Sequence, residues 1–279
     1  MCIRDSIFFI DVAAFAVMSN HYHLVLHVDV EAAKQSDAKD IVRRWHQLCK
    51  PKEVSQKFID GESLESHEIN QLNTLIDTWR SRLFDISWFM KILNENVARR
   101  ANKEDDCSGH FWESRYKSQA LLDEKAVLSA MAYVDLNPVR TGMADTPENS
   151  DYTSIKLRID YYKKKSNHTD NMQPVSLMPF AGSLRQPEPR GLIFNLTDYI
   201  ELVDWTGRII RTDKRGAISE SAPPILQRLD ISNQHWIELS TTFEQRFKGV
   251  AGTTQSINAY SGENEHPYRF ESEHPKPTH

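Results

Sequence analysis

Apolar and polar positions alternate in blocks along this chain, and the period changes from block to block. Ile7 to Met18 is β-branched and aromatic without a breaker, the signature of a buried strand. Ser19-Asn20 supplies turn chemistry and His21 to Val28 reads as a second strand, so the two are expected to form a hairpin. From Glu31 to Cys49 the spacing turns helical, with Ala32, Ala33, Ile41, Val42 and Trp45 apolar among charges, until Lys50-Pro51 interrupts it. The acidic stretch at about 50–78 reads as an insertion of short surface helices. Asp85 suits the N-cap of a helix with Ile86, Phe89, Leu93 and Val97 on one face, giving way to a polar loop from Ala101 to Gly109. Phe111 to Leu122 suits a strand. Asp123 is expected to cap a helix that Pro138 stops near Asn137. Another helix, from near Ser150, runs through Ile155, Leu157 and Ile159 to the lysines at 163–165.

Beyond the lysines, Ser166 to Gly191 carries Pro, Ser and Gln without a period and reads as a linker. Leu196 to Trp205 and Pro223 to Phe247 return to amphipathic helix spacing, and after Gly252 the chain is polar and expected to be disordered. The expected organisation is therefore a main domain over 1–165, a linker over 166–195, a small helical region over 196–250 and a tail over 251–279.

Charge changes the picture less than it first suggests. The net charge is −5, but the segment from Glu53 to Asp77 holds six acids against Lys57 and carries all of it. Basic clusters remain at Arg99-Arg100, at Arg115 and Lys117, and at Lys163-Lys164-Lys165. Nucleic-acid binding depends on a local basic surface, so such a partner is permitted without being demanded. No apolar run approaches the ~20 residues that span a bilayer. Ile7 to Val17 is interrupted by Asp11 and lacks a small-residue cleavage pattern, so neither a membrane span nor a signal peptide is expected. Cys2, Cys49 and Cys107 show no CxxC spacing, and a reducing cytoplasm is the expected setting.

Two local patterns carry chemistry. In a strand, side chains alternate faces, so His21 and His23 project together, roughly 7 Å apart at Cα, and suit one cation. The same pair equally suits two half-exposed strand histidines with no ligand. His27 shares their face as a bystander or a DNA contact, and Tyr22, Leu24, Leu26 and Val28 are expected on the opposite side against a core. On the helix after Asp123, Ala126, Ala130, Tyr133 and Asn137 fall on one face at the 3.6-residue period. The small alanines are expected to leave the Tyr133 phenol uncovered, with the Asn137 amide oxygen one turn on as a third, hard metal ligand. A core-rim tyrosine followed by an Asn-Pro helix stop gives the same pattern.

In this order, Met18-Ser-Asn-His-Tyr-His-Leu-Val-Leu26, His110-Phe-Trp-Glu-Ser-Arg-Tyr-Lys-Ser118 and Tyr133-Val-Asp-Leu-Asn-Pro-Val-Arg140 resemble the REP-associated tyrosine transposases of the single-tyrosine HUH superfamily. The resemblance runs from about Ile7 to residue 165, with the acidic insertion inside it. It implies an α+β fold with a ferredoxin-like antiparallel sheet backed by helices, and DNA cleavage without a nucleotide cofactor. By motif position it implies His21 and His23 as metal ligands for Mg²⁺ or Mn²⁺, Asn137 as the third ligand and Tyr133 as the nucleophile. The implied substrate is single-stranded or hairpin DNA such as palindromic repeats, acted on by a monomer or homodimer in the nucleoid-containing cytoplasm. Trp112, Arg115, Tyr116 and Lys117 set base-stacking rings beside phosphate-binding cations, although a strand with Phe111 and Trp112 in the core and Arg115 on a solvated edge gives the same pattern, and Arg140 lies near enough to the nucleophile helix to meet phosphate. The family domain opens with a strand and a helix ahead of the equivalent of Ile7. Met1 to Ser6 does not resemble them, so that element is expected to be missing and a sheet edge left unpaired. The competing expectation is a hairpin-DNA-binding protein, inactive or domesticated, that does not cut.

Overall fold

The structure is a computed structural model and describes residues 7–164, 174, 176–180, 191–211 and 223–263. Expectations for Met1 to Ser6, for Lys165, for most of the segment 166–195 and for the tail beyond 263 lie outside those residues. The class is α+β with helices dominant. Strands β1 (Ile10–Val17) and β2 (Tyr22–Val28) form a two-stranded sheet. They are joined as the expected hairpin, with the Met18 N–H donating to the His21 carbonyl at 2.8 Å. Among the described residues the other ladder is a short parallel pair, β3 (Ala120–Leu121) with β4 (Val250–Ala251). No helix of the described residues is long and apolar enough to cross a membrane.

The chain divides into two compact units, one of Met1–Val12 with Leu26–Tyr116 and one of Ala13–Val25 with Lys117–His279. These boundaries do not follow the expected breaks at 165 and 196. The hairpin contributes to both units, and the helices from 196 onward belong to the same unit as Tyr133.

In the first unit, the single helix expected from Glu31 to Cys49 is two, α1 (Val30–Gln35) and α2 (Ala38–Leu48). Ser36 leaves helical space at ψ 139°, and Asp37 caps α2 by accepting from the Asp40 N–H at 2.7 Å. The acidic stretch is not an appendage of short helices. After α3 (Glu53–Asp60) comes α4 (Ser66–Leu83), 18 residues long, which buries Leu72, Ile76, Trp79 and Leu83. Those four sit at helical spacing, and Trp79 stacks on Trp45 with ring centres 5.7 Å apart and planes 10° off parallel. The acids other than Glu68 are exposed, where their charge stays hydrated, and half-buried Glu68 pairs with Lys57 at 2.9 Å. Helix α5 (Ile86–Glu104) starts as expected, with the Asp85 carboxylate accepting from the N–H groups of Ser87 and Trp88, and buries Phe89 and Leu93.

The second unit is built around α6 (Glu124–Asp135), capped as expected by Asp123, which accepts from the Ala126 N–H at 2.9 Å. From Leu128 to Asp135 every residue is buried, so α6 is a core helix enclosed on all sides. α6 ends at Asp135, close to the expected stop near Asn137, and Pro138 lies in the first turn of a separate short helix, α7 (Asn137–Arg140), where its missing N–H is not needed. The strand expected from Phe111 to Leu122 is reduced to β3. Backbone stays extended and paired only where a neighbour supplies hydrogen bonds, here Ala120 N–H to Gly249 O at 2.8 Å and Leu122 N–H to Ala251 O at 2.9 Å.

Next come α8 (Ser154–Lys164), α9 (Leu196–Ile210), α10 (Pro224–Arg228) and α11 (Asn233–Arg246). Gly207 lets α9 approach the α6–α7 junction, since a Cβ there would stand 3.3 Å from Leu136 Cδ2. The described parts of the expected linker are core instead, with Leu177, Met178, Phe180, Leu192 and Phe194 buried and Phe180 bridged to Leu192. The polar chain after Gly252 forms α12 (Thr254–Glu263), because Asp123 also accepts from the Thr253 N–H at 2.5 Å and holds its start.

Candidate active site

All of the site's main residues lie in the second unit. His21 and His23 leave β2 on one side, as strand alternation requires, with ring centres 5.0 Å apart and planes nearly perpendicular. The residue that buries this face is Val25, the next on that side, while Tyr22, Leu24, Leu26 and Val28 are only half-buried. The histidine side is therefore mixed, with His21 exposed, His23 half-buried and Val25 buried, and the side expected to face the core is half-buried throughout. His21 Nδ1 lies 2.6 Å from the Asn20 amide oxygen, a contact that directs Nε2 outward when Nδ1 carries the proton. His27 pairs with Asp11 at 3.5 Å in the first unit and takes no part.

Tyr133 meets this pair. Its ring centre is 5.9 Å from that of His23, edge to face, although the residues are far apart in sequence. Burial pushes the His23 imidazole below its ordinary range; Glu244 opposes this, and His21 and Arg140 reinforce it. A neutral imidazole keeps the lone pair that a metal ligand needs. Burial raises the Tyr133 phenol; Arg140 opposes that shift and Glu244 adds to it.

The phenol is not uncovered. Tyr133 is 9% exposed, because α11 lies along the face that carries Ala126 and Ala130. The small alanines admit a helix there instead of a substrate. From α11, Glu244 accepts the Tyr133 hydroxyl at 3.2 Å, and the Phe243 ring centre lies 6.1 Å from that of Tyr133. Arg140 lies over the Tyr133 ring at 3.7 Å, donating to the Thr241 carbonyl at 3.2 Å and to Asn137 Oδ1 at 3.0 Å. The amide oxygen expected to face a metal therefore accepts from a guanidinium, and Asn137 Nδ2 is buried without a hydrogen-bond partner. Among the described residues, no group of three His, Cys, Asp or Glu side chains gathers in a way that holds a metal ion.

The α6 end that carries Tyr133 is pinned by Asp135, fully buried two residues on. Its carboxylate accepts from the Ser154 hydroxyl, from the Ile155 N–H at 2.9 Å and from the Tyr199 hydroxyl at 2.5 Å. Burial raises the Asp135 carboxyl, and its donors and Arg158 pull the other way. Arg158 in turn donates to the carbonyls of Ala13 at 2.8 Å and Met178 at 3.1 Å.

The remaining expected DNA contacts are spread over both units. Trp112, half-buried, donates its indole N–H to the Asn94 carbonyl at 3.0 Å, and the Tyr116 hydroxyl bonds Ser87 at 3.1 Å. Arg115 is exposed, and all three lie in the first unit; Lys117, also exposed, opens the long segment of the second. The residues that sequence reasoning missed are Glu244, Thr241 and Phe243. The amphipathic spacing of Pro223 to Phe247 announced a helix, but nothing local named the surface it covers. No protein-family model matches the chain, and no curated protein and no solved structure matches it either.

Proposed function

We propose that this chain is a metal-dependent tyrosine transposase that nicks and rejoins single-stranded or hairpin DNA, with a ferredoxin-like HUH core of the REP-associated type. The observation that supports the reading is the meeting of His21, His23 and Tyr133, with ring centres 5.0 and 5.9 Å apart in succession, from blocks separated by most of the first unit's sequence. His21 and His23 fit a divalent ion: one imidazole has its Nδ1 against an amide oxygen and the other is held neutral by burial. Mg²⁺ or Mn²⁺ bound there supplies charge withdrawal from a phosphate oxygen.

The chain's own residues do the rest. A free phenol, with a pKa of about 10, is a weak nucleophile at neutral pH. The Arg140 guanidinium over the ring favours the phenolate and remains beside it as charge develops on the phosphate. The Tyr133 hydroxyl gives its proton to solvent, Tyr133 Oη forms a bond to phosphorus in line with the 3′ oxygen, and that oxygen leaves with the bonding electron pair and takes a proton from solvent. The product is a 5′-phosphotyrosine that retains the phosphodiester energy, so a second 3′-hydroxyl can reverse the step and join strands. For a phosphate to reach the phenol, the hydrogen bond to Glu244 must break.

That bond favours a second reading, a hairpin-binding protein that does not cut. Labelled hairpin DNA, protein and Mg²⁺ or Mn²⁺, resolved on a denaturing gel, separates the two. The nuclease gives a covalent adduct that is lost with chelator, in Tyr133→Phe and in His21→Ala. The binding protein retards DNA on a native gel and gives no adduct. A metal-dependent hydrolase of another substrate would keep its activity in Tyr133→Phe and lose it in His21→Ala.

A further inference from the structure

Three described residues other than glycine have positive φ: Asp106, Asp230 and Tyr152. Aspartate enters the left-handed region readily through its short polar side chain, but a tyrosine there strains its Cβ against the backbone. Tyr152 has φ +60° and is 76% exposed, the most exposed large apolar side chain described. Its ring makes no hydrogen bond or stacking contact among the described residues, so no packing offsets the strain.

The backbone around it leaves no alternative. The Val17 N–H donates to the Tyr152 carbonyl at 3.0 Å, and Thr153 bridges Ala16 in the antiparallel sense. Thr153 Oγ1 donates to Ser150 O at 2.6 Å, and Ser154 Oγ accepts from Phe15 N–H at 2.9 Å while donating to buried Asp135. A strained conformation fixed this firmly, with the ring held out in solvent, is the pattern of a residue kept for what it contacts.

Its place in the fold indicates what that is. Tyr152 and Thr153 border β1 on the edge opposite β2, so Tyr152 lies two strand spacings, about 10 Å, from the strand of His21 and His23. Val17, to which it bonds, leads directly into the Met18–His21 turn. Tyr161, Tyr162 and Lys163 stand exposed on α8, the helix that begins two residues after Tyr152, a combination of rings and a cation also found on single-strand binding surfaces.

We propose that Tyr152 is a stacking platform for an unpaired nucleobase of a bound single DNA strand. The inference rests on the DNA-cleaving reading above. The ring supplies a flat apolar face of no sequence preference, and the rigid backbone holds it without an ordering cost on binding.

The test is anisotropy of a labelled single-stranded oligonucleotide with the full chain, alongside thermal melting. Tyr152→Ala and Tyr152→Gly are expected to weaken binding roughly 5- to 150-fold, the range for losing one base–aromatic stack. Tyr152→Phe keeps the ring and the affinity. Tyr152→Gly also relieves the positive φ, so its melting temperature equals or exceeds that of the wild type. A Tyr152→Gly protein that binds as tightly as wild type overturns the inference, and so does one that melts lower, since the ring is then structural. A wild type that binds single strands but forms no adduct refutes the nuclease reading and leaves this comparison decisive. A wild type that binds no single strand overturns both.

Discussion

Replacing Asp135 by Ala removes a carboxylate that three donors share inside the second unit: the hydroxyls of Ser154 and Tyr199 and the Ile155 N–H. Hydrogen bonds to a charged acceptor contribute about 1.5–3 kcal/mol each, so simple addition overshoots. The carboxylate also carries a burial cost, seen in its raised pKa, and that cost is returned on deletion. What remains is three buried donors without an acceptor and Arg158 without its counter-charge, for which about 3–5 kcal/mol is the expected loss. Against a typical total of about 5–15 kcal/mol, the protein becomes marginal. Tyr199→Phe deletes one bond and leaves the others, an expected loss of about 1.5–3 kcal/mol. Asp135→Asn falls between the two, because the amide oxygen still accepts from α8 and the Tyr199 hydroxyl can turn to accept from the amide NH₂. Urea unfolding of the full chain, followed by circular dichroism, reads all three. An Asp135→Ala protein within about 1 kcal/mol of wild type would refute this account of how α6 is anchored.

The remaining predictions concern charge at the site. Burial holds the folded-state pKa values of His23 and His46 below the ordinary 6.5, so the fold prefers their neutral forms. Their stabilising effect is complete above about pH 6.5 and is lost as pH falls through the folded-state values, so acid should destabilise wild type more steeply than a His23→Gln, His46→Gln double variant. Equal slopes of stability against pH would contradict this. Glu244→Gln removes a neighbour that raises the Tyr133 phenol and competes with phosphate for it. A fall in the phenol's pKa in the ultraviolet titration and faster adduct formation are expected. An unchanged titration and a slower reaction would count against that role for Glu244.

Local pattern was enough for the elements whose signals are local. The hairpin was readable from an unbroken β-branched run and a Ser-Asn turn, and the starts of α5 and α6 from Asp85 and Asp123. His21 and His23 share a face because period two leaves no other option. Where the outcome depends on a distant partner, pattern failed. Phe111 to Gln119 has strand composition but no ladder neighbour among the described residues, and β3 forms where Val250 and Ala251 arrive. The acidity of 50–78 suggested an insertion and masked the stripe of Leu72, Ile76, Trp79 and Leu83, which packs like any core helix. Ala126 and Ala130 showed that space lies beside Tyr133 but not whether DNA or protein fills it. Glu244 fills it from more than a hundred residues away, and no local feature of either segment announces the contact.

The account turns on Tyr133 Oη becoming bonded to DNA. Trypsin releases Ala126–Arg140 as one peptide that holds Tyr133 as its sole tyrosine, so the bond can be located directly. The protein is incubated with hairpin DNA and Mg²⁺, treated with nuclease, digested and analysed by mass spectrometry. The account predicts that this peptide carries a nucleotide 5′-phosphate on its tyrosine, and that the modification disappears in His21→Ala or with chelator. Cleaved DNA accompanied by an unmodified peptide, or by a nucleotide on another residue, would contradict it.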